Sequence, residues 1–202
     1  HSPMNLGREA NIFNCKIDYR EILSAIKNRE RDKFLGTIEF FPQEGKYHYD
    51  GHRNCNVCLS PQETEKYNDV CPRCGKPLTI GVMHRVYELA DREIGFKPEG
   101  AIPFTSMVLL KEVIGEAIGK TSKSTEVDKL YHYLIDKFGS EFKIMIEVPF
   151  AELSKVHPKI AEGIARVKEK KVKISPGYDG VYGIVKIFGE EERLEPEQMS
   201  LL

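Results

Sequence analysis

The sequence predicts an α+β chain, with a four-cysteine zinc domain followed by a mixed, mostly helical C-terminal domain. Three observations lead there. Cys55-Asn-Val-Cys58 and Cys71-Pro-Arg-Cys74 are separated by twelve residues, which gives C-x2-C-x12-C-x2-C. Beyond residue 100, apolar residues recur mainly at helical spacing. Only short runs, near 34–41, 142–148, 172–175 and 181–188, have the β-branched and aromatic composition of strands.

Taken in order, residues 1–17 read as a loop, with Pro3, Gly7 and no sustained period. Asp18 is placed to cap a helix over 19–28 whose apolar stripe is Ile22, Leu23 and Ile26. A strand over 34–41 stops at Pro42. Ser60-Pro61-Gln62-Glu63 has the form of a capping box, so a short helix fills the span between the cysteine pairs. A helix over 81–92 has Val82, Val86, Leu89 and Met83, Tyr87, Ala90 as one broad apolar face. Two prolines and two glycines between Gly95 and Pro103 mark a connecting loop. Helices then follow over 107–118, 125–138 and 158–170, with a strand over 142–148 between the last two. Strands over 172–175 and 181–188 flank Pro176-Gly177-Tyr178-Asp179-Gly180, a strong hairpin turn. The acidic tail after Gly189 reads as frayed.

Bulk properties exclude several classes. A chain of 202 residues is one full domain or two to three small ones. No apolar run approaches a membrane span and no secretory h-region opens the chain, so no membrane partner is expected. A cytoplasmic setting follows, where thiols stay reduced and available to metal. A net charge of −1 does not announce a polyanion partner, but the distribution is uneven. Lys111, Lys120, Lys123, Lys155, Lys159, Arg166, Lys168, Lys170, Lys171 and Lys173 share one stretch, and local charge is what nucleic acid senses.

Each C-x-x-C turn aims two thiolates at one point, so Cys55, Cys58, Cys71 and Cys74 suit tetrahedral structural zinc. Disulfides and a rubredoxin-like iron are the alternatives for the same spacing. Four sulfur ligands leave no open position, so the ion would hold a fold rather than catalyse. No HxH pair, HExxH helix, GxSxG elbow or Walker loop occurs. Gly119-Lys120-Thr121-Ser122 echoes the end of a Walker motif, but Ile114 stands where its first glycine belongs.

For nucleic acid, the loop from Lys46 to Arg53 mixes cations, aromatics and histidine, a combination suited to phosphate contact and base stacking. Lys46, His52 and Arg53 are its candidates. His48 and His52 are potential competitors for metal, but four thiolates already complete the shell. Lys120, Ser122 and Lys123 lie in a turn between helices that is able to present amides and lysines to a phosphate. The run Lys168–Lys173 sits at a helix C-terminus, where cations suit the dipole with or without a ligand. Cys15 reads as a small buried residue. His1 says nothing by position alone.

The sequence resembles the endonuclease Q family of DNA repair enzymes. The resemblance is carried by Thr37-Ile-Glu-Phe-Phe-Pro42, by Gly45-Lys-Tyr-His-Tyr-Asp-Gly-His-Arg-Asn-Cys55, by the run from Cys71 to Arg92, and by Pro176-Gly-Tyr-Asp-Gly-Val-Tyr-Gly183. It covers nearly the whole chain. It implies the tail of a polymerase-and-histidinol-phosphatase (PHP) metal barrel over 1–45, a zinc domain over 46–100, a C-terminal domain over 101–190 and an acidic tail over 191–202. His1-Ser2-Pro3 and Leu6-Gly7-Arg8-Glu9-Ala10 are similar to the barrel's closing motif, which would make His1 its last metal ligand and a catalytic position. The resemblance implies divalent metals in that barrel, most of which lies outside this sequence, and damaged DNA, duplex or single-stranded, as partner. It also implies nicking on the 5′ side of deaminated bases such as deoxyuridine and hypoxanthine, or of abasic sites. On this reading the segment alone is inactive and belongs to a longer enzyme. The alternative is a non-catalytic zinc-stabilised module that binds nucleic acid or assists a helicase.

Overall fold

The strand expected near residue 34 has a partner that the sequence conceals. In the computed structural model, which describes residues 7–189 and 192, β1 (Ala10–Phe13) lies antiparallel to β2 (Phe34–Glu39), with Asn11 opposite Thr37. The segment expected to be a loop is therefore a strand in part. β1 is four residues long and does not alternate in burial, so it carries no period of its own. Between the two strands, α1 (Tyr19–Lys27) starts at Asp18, whose Oδ1 accepts from the Arg20 and Glu21 amides at 2.9 and 3.3 Å. The cap matches expectation and the stripe does not: Leu23 and Ile26 are exposed, and Ala25 is the buried residue.

On its other edge β2 pairs in parallel with β5 (Phe104–Ser106), with Thr37 opposite Phe104. Ile38 and Phe41 enter the same apolar core as the C-terminal helices, so this segment packs onto them. The described residues form no closed barrel. The chain between β2 and β5 is an insertion between neighbouring strands. It consists of the hairpin β3 (Asp50–His52) and β4 (Val57–Leu59), then α2 (Pro61–Lys66) and α3 (Val82–Leu89). Ser60 and Glu63 form the expected capping box on α2. α3 is shorter than expected, and Val82, Val86 and Leu89 face solvent, so its apolar rows do not build a core.

The C-terminal body is α4 (Leu110–Ala117), α5 (Thr125–Phe138), α6 (Phe150–Ser154) and α7 (Pro158–Lys168), closed by the hairpin β6 (Lys173–Ser175) and β7 (Ile184–Lys186). Ser124 caps α5 at the Val127 amide, and Val113, Ile114, Val127, Leu134, Ile144, Ile160, Ile164 and Phe188 are fully buried. The strand expected over 142–148 is instead a π-helical turn, Lys143–Glu147. Ile144 and Met145 are consecutive and both buried, which a strand would have sent to opposite faces. Among the described residues no helix is long and apolar enough to cross a membrane.

Candidate functional site

Two turns converge at one end of the inserted module. After β3 the chain makes a 3-10 turn, Arg53–Cys55, and Asn56 reverses it into β4 with φ of 52°. The second turn, Cys71–Gly75, closes through the Gly75 amide donating to the Cys71 carbonyl at 2.9 Å and the Cys71 amide donating to the Lys76 carbonyl at 2.8 Å. Gly75 takes φ of +72°, a conformation that suits glycine. Residues 77–79 return to the hairpin, where Gly51 and Thr79 exchange both backbone bonds at 3.0 and 2.8 Å.

These turns gather His52, Cys55, Cys71 and Cys74, whose ligand atoms all lie within 4.8 Å of one another. His52 Nδ1 is 3.4 Å from Cys74 Sγ. A tetrahedral zinc with ordinary Zn–N and Zn–S distances separates nitrogen from sulfur by roughly 3.5 Å, so the group is already near its liganded geometry. The electrostatics agree. Contact with Cys74, aided by burial, holds the Cys55 thiol up at about 11. Burial also opposes ionisation of Cys71, yet the Arg73 and Cys74 amides and the His52 ring bring it down to about 6. A divalent cation would resolve this crowding by displacing the remaining protons.

The group differs from the four cysteines expected in its fourth member. Cys58 stands outside the group, with its sulfur 3.9 Å from the Pro176 carbonyl. Strand parity is the reason. In the β3–β4 register Cys58 faces Gly51, and His52 faces Val57. Successive residues of a strand point to opposite faces. Cys58 and Gly51 therefore share the face covered by Tyr178, while His52 points with Val57 toward Cys71. Burial and the nearby Glu63 and Asp50 carboxylates push the Cys58 thiol up to about 11. The spacing of the gathered group is His52-x2-Cys55 with Cys71-x2-Cys74, and its signal in the sequence is the histidine three residues before Cys55. His52, a nucleic-acid candidate in the sequence, lies in this cluster.

The remaining candidates fall in two places. Lys46 and Arg53 lie beside the hairpin turn 176–183: Lys46 Nζ sits 4.6 Å from the Tyr182 ring centroid, and the Arg53 amide donates to Asp179 Oδ2 at 2.7 Å. Lys120 and Ser122 line a cavity of about 270 Å3 together with Glu44, Glu112 and Glu116, so these two face carboxylates. Burial raises the Glu112 carboxyl. Lys123 is exposed in the same turn. Of the basic stretch, Lys111, Lys155, Lys159, Arg166 and Lys171 are engaged by Asp128, Glu152, Glu162 and Glu169, and Arg166 also binds Glu192 at 2.8 Å. His1 lies outside the described residues, as does the acidic tail apart from Glu192.

Comparison with known proteins follows this geometry. Residues 110–171 match the family model of the MJ0043 C-terminal domain. The uncharacterized protein MJ0043 of Methanocaldococcus jannaschii is 32% identical over 207 residues, which is all of this chain and 26% of that protein. The crystal structure of the lesion-specific endonuclease PfuEndoQ from Pyrococcus furiosus superposes with a TM-score of 0.80 at 32% identity, over 98% of this chain and 49% of that one. Endonuclease Q in complex with a 27-mer duplex substrate, with an abasic lesion at the active site, gives 0.77 at 31%, with the same coverage. The chain spans about half the length of the solved structures and about a quarter of the curated relative. It resembles endonuclease Q in sequence motifs and in fold alike.

Proposed function

We propose that this chain is the DNA-holding portion of a lesion-specific DNA repair endonuclease. In this reading the intact protein nicks DNA on the 5′ side of deaminated bases or abasic sites, and the present segment grips the substrate. The observation that carries the proposal is the superposition over 98% of the chain on PfuEndoQ at 32% identity. The related complex with an abasic duplex supports DNA as partner.

Zinc is the ion the His52, Cys55, Cys71 and Cys74 set suits best. One histidine and three thiolates close a tetrahedral shell, so the ion supplies rigidity and no open coordination position. The residues around it have distinct tasks. Cys71 anchors the second turn inside the small core of Val57 and Leu78, while His52 fixes the end of β3 and thereby the start of the turn that presents Arg53. Lys46, Arg53 and Lys123 would meet phosphates; each is exposed. Lys120 and Ser122 would act at the rim of their acidic cavity. His1 would belong to the barrel's metal set, whose divalent ions would activate water and clamp the scissile phosphate.

A nicking assay on otherwise identical duplexes with deoxyuridine, hypoxanthine, an abasic site or no lesion tests the proposal on the full-length protein. Cleavage 5′ to the lesion in the presence of Mg2+ or Mn2+ is expected. Equal cleavage of the undamaged duplex, or none of any, would overturn it. If cleavage is absent but binding falls steeply with salt, the chain is a non-catalytic nucleic-acid module.

A further inference from the structure

The hairpin turn 176–183 is fixed to the loop before β3 more firmly than its length requires. The Gly177 amide donates to Gln43 O at 2.8 Å, the Gly183 amide to Glu44 O at 3.0 Å and the Gly180 amide to Lys46 O at 3.0 Å; Tyr49 N returns a bond to Gly177 O at 2.9 Å. Side chains reinforce the seam. Asp179 accepts from the Arg53 amide and from Thr79 Oγ1, each at 2.7 Å, and the Tyr178 hydroxyl donates to Asn56 Oδ1 at 2.8 Å.

This rigid seam buries little of what it displays. Tyr182 is 67% exposed and Tyr47 is 52% exposed. Two large rings left in water at a tightly bonded junction add nothing to a core. Cations surround them. Lys46 Nζ lies over one face of the Tyr182 ring. A Cβ placed on Gly180 would be 3.4 Å from the Arg53 guanidinium and 3.7 Å from the Tyr47 hydroxyl, so both side chains converge on that turn. The Asp179 carboxylate of the same turn is already bonded to Arg53 N and Thr79. Exposed aromatic faces flanked by cations on a fixed backbone suit a nucleotide whose base has left its stack: the base meets the ring and its phosphates meet the lysine and arginine.

We infer that Tyr182, supported by Lys46, Tyr47 and Arg53, is a stacking platform for an unpaired nucleotide of the bound DNA. The inference rests on the proposed function, because it presumes DNA as the partner. It names the residue that receives the base, which the family resemblance does not assign.

The test uses the full-length protein loaded with zinc and a duplex with a single unpaired 5-iododeoxyuridine, set against its fully paired counterpart. On irradiation, cross-linking to a peptide that contains Tyr182 is expected for the unpaired probe only. Tyr182→Ala should weaken binding of the unpaired probe about tenfold and leave the paired duplex nearly unchanged, while Tyr182→Phe binds as the parent does. Lys46→Gln should lower the salt slope by about one phosphate contact. Both positions are exposed, and thermal melting and zinc content will confirm that the variants remain folded. Strong binding with cross-links only elsewhere and no effect of Tyr182→Ala would overturn the platform while leaving the proposed function standing. Failure of the parent to bind either probe would overturn both.

Discussion

The C-terminal helical body and the inserted metal module are stabilised by different means. The helical body encloses a continuous core that runs from Ile38 through Val113, Leu134 and Ile164 to Phe188. The module has three buried apolar residues, Val57, Cys71 and Leu78, with Cys55 and Leu59 against them. One of these three is itself a ligand candidate. Burial is sufficient to hold the first region together. The second has little apolar area to fold on, and its shape rests on polar anchors and on a His/Cys cluster that could hold a metal ion.

Metal removal should separate the two regions most sharply. A strong chelator should abolish the ordered module while the helical body keeps its helical circular dichroism. Binding of structural zinc is worth on the order of 10 kcal/mol or more, and folding of such a unit is lost with it. Cys71→Ser or His52→Ala should likewise drop bound zinc from one per chain toward none by elemental analysis. Cys58→Ser should leave it at one. Full retention after His52→Ala together with loss after Cys58→Ser would restore the four-cysteine set.

Leu134→Ala probes the opposite side of the contrast. It should cost roughly 3 kcal/mol in denaturant unfolding of the helical body. Zinc content should not change. Asp50→Asn is a smaller perturbation, aimed at the polar anchor of the module. Asp50 is fully buried and accepts from the Gly81 amide at 2.6 Å and from His84 Nδ1 at 2.7 Å, which ties the start of α3 to β3. Loss of the charge should cost about 2 kcal/mol, read as a lower melting temperature.

The smallest effect is a pH dependence. The bond to Asp50 raises the His84 pKa above its ordinary value, with help from the charges of Asp69 and Glu88. A raised folded pKa means that this contribution is complete below the unfolded value, near 6.5, and is lost as pH rises through the folded value. Melting of the module should therefore soften between neutral and mildly alkaline pH, and His84→Gln should flatten that slope. An unchanged slope in the variant would assign the dependence to other groups.

Much of the helical body was legible. The periodic apolar run over 125–138 set the bounds of α5, which are those of the structure. Ser60 and Glu63 likewise announced α2. The failures have physical causes of their own. β1 is defined by a partner more than twenty residues away, so no local pattern reveals it. Lys143–Glu147 has the apolar, β-branched composition of a strand but buries adjacent residues. The cysteine spacing pointed to the place where His52, Cys55, Cys71 and Cys74 gather, and it named Cys58 where the structure brings His52. Spacing does not encode which face of a hairpin a residue occupies, and a single step of parity exchanged Cys58 for His52.

Gly183 and Gly177 carry a last implication. A Cβ on Gly183 would stand 2.0 Å from the Gln43 carbonyl oxygen, and one on Gly177 would stand 2.3 Å from that of Gly45. The obstacle in both cases is main chain, which no repacking of side chains can move aside. The loop and the turn are thus keyed to each other like lock wards. Any variant of the protein that reshapes one must reshape the other in the same step, and two segments more than a hundred residues apart must evolve as a single piece.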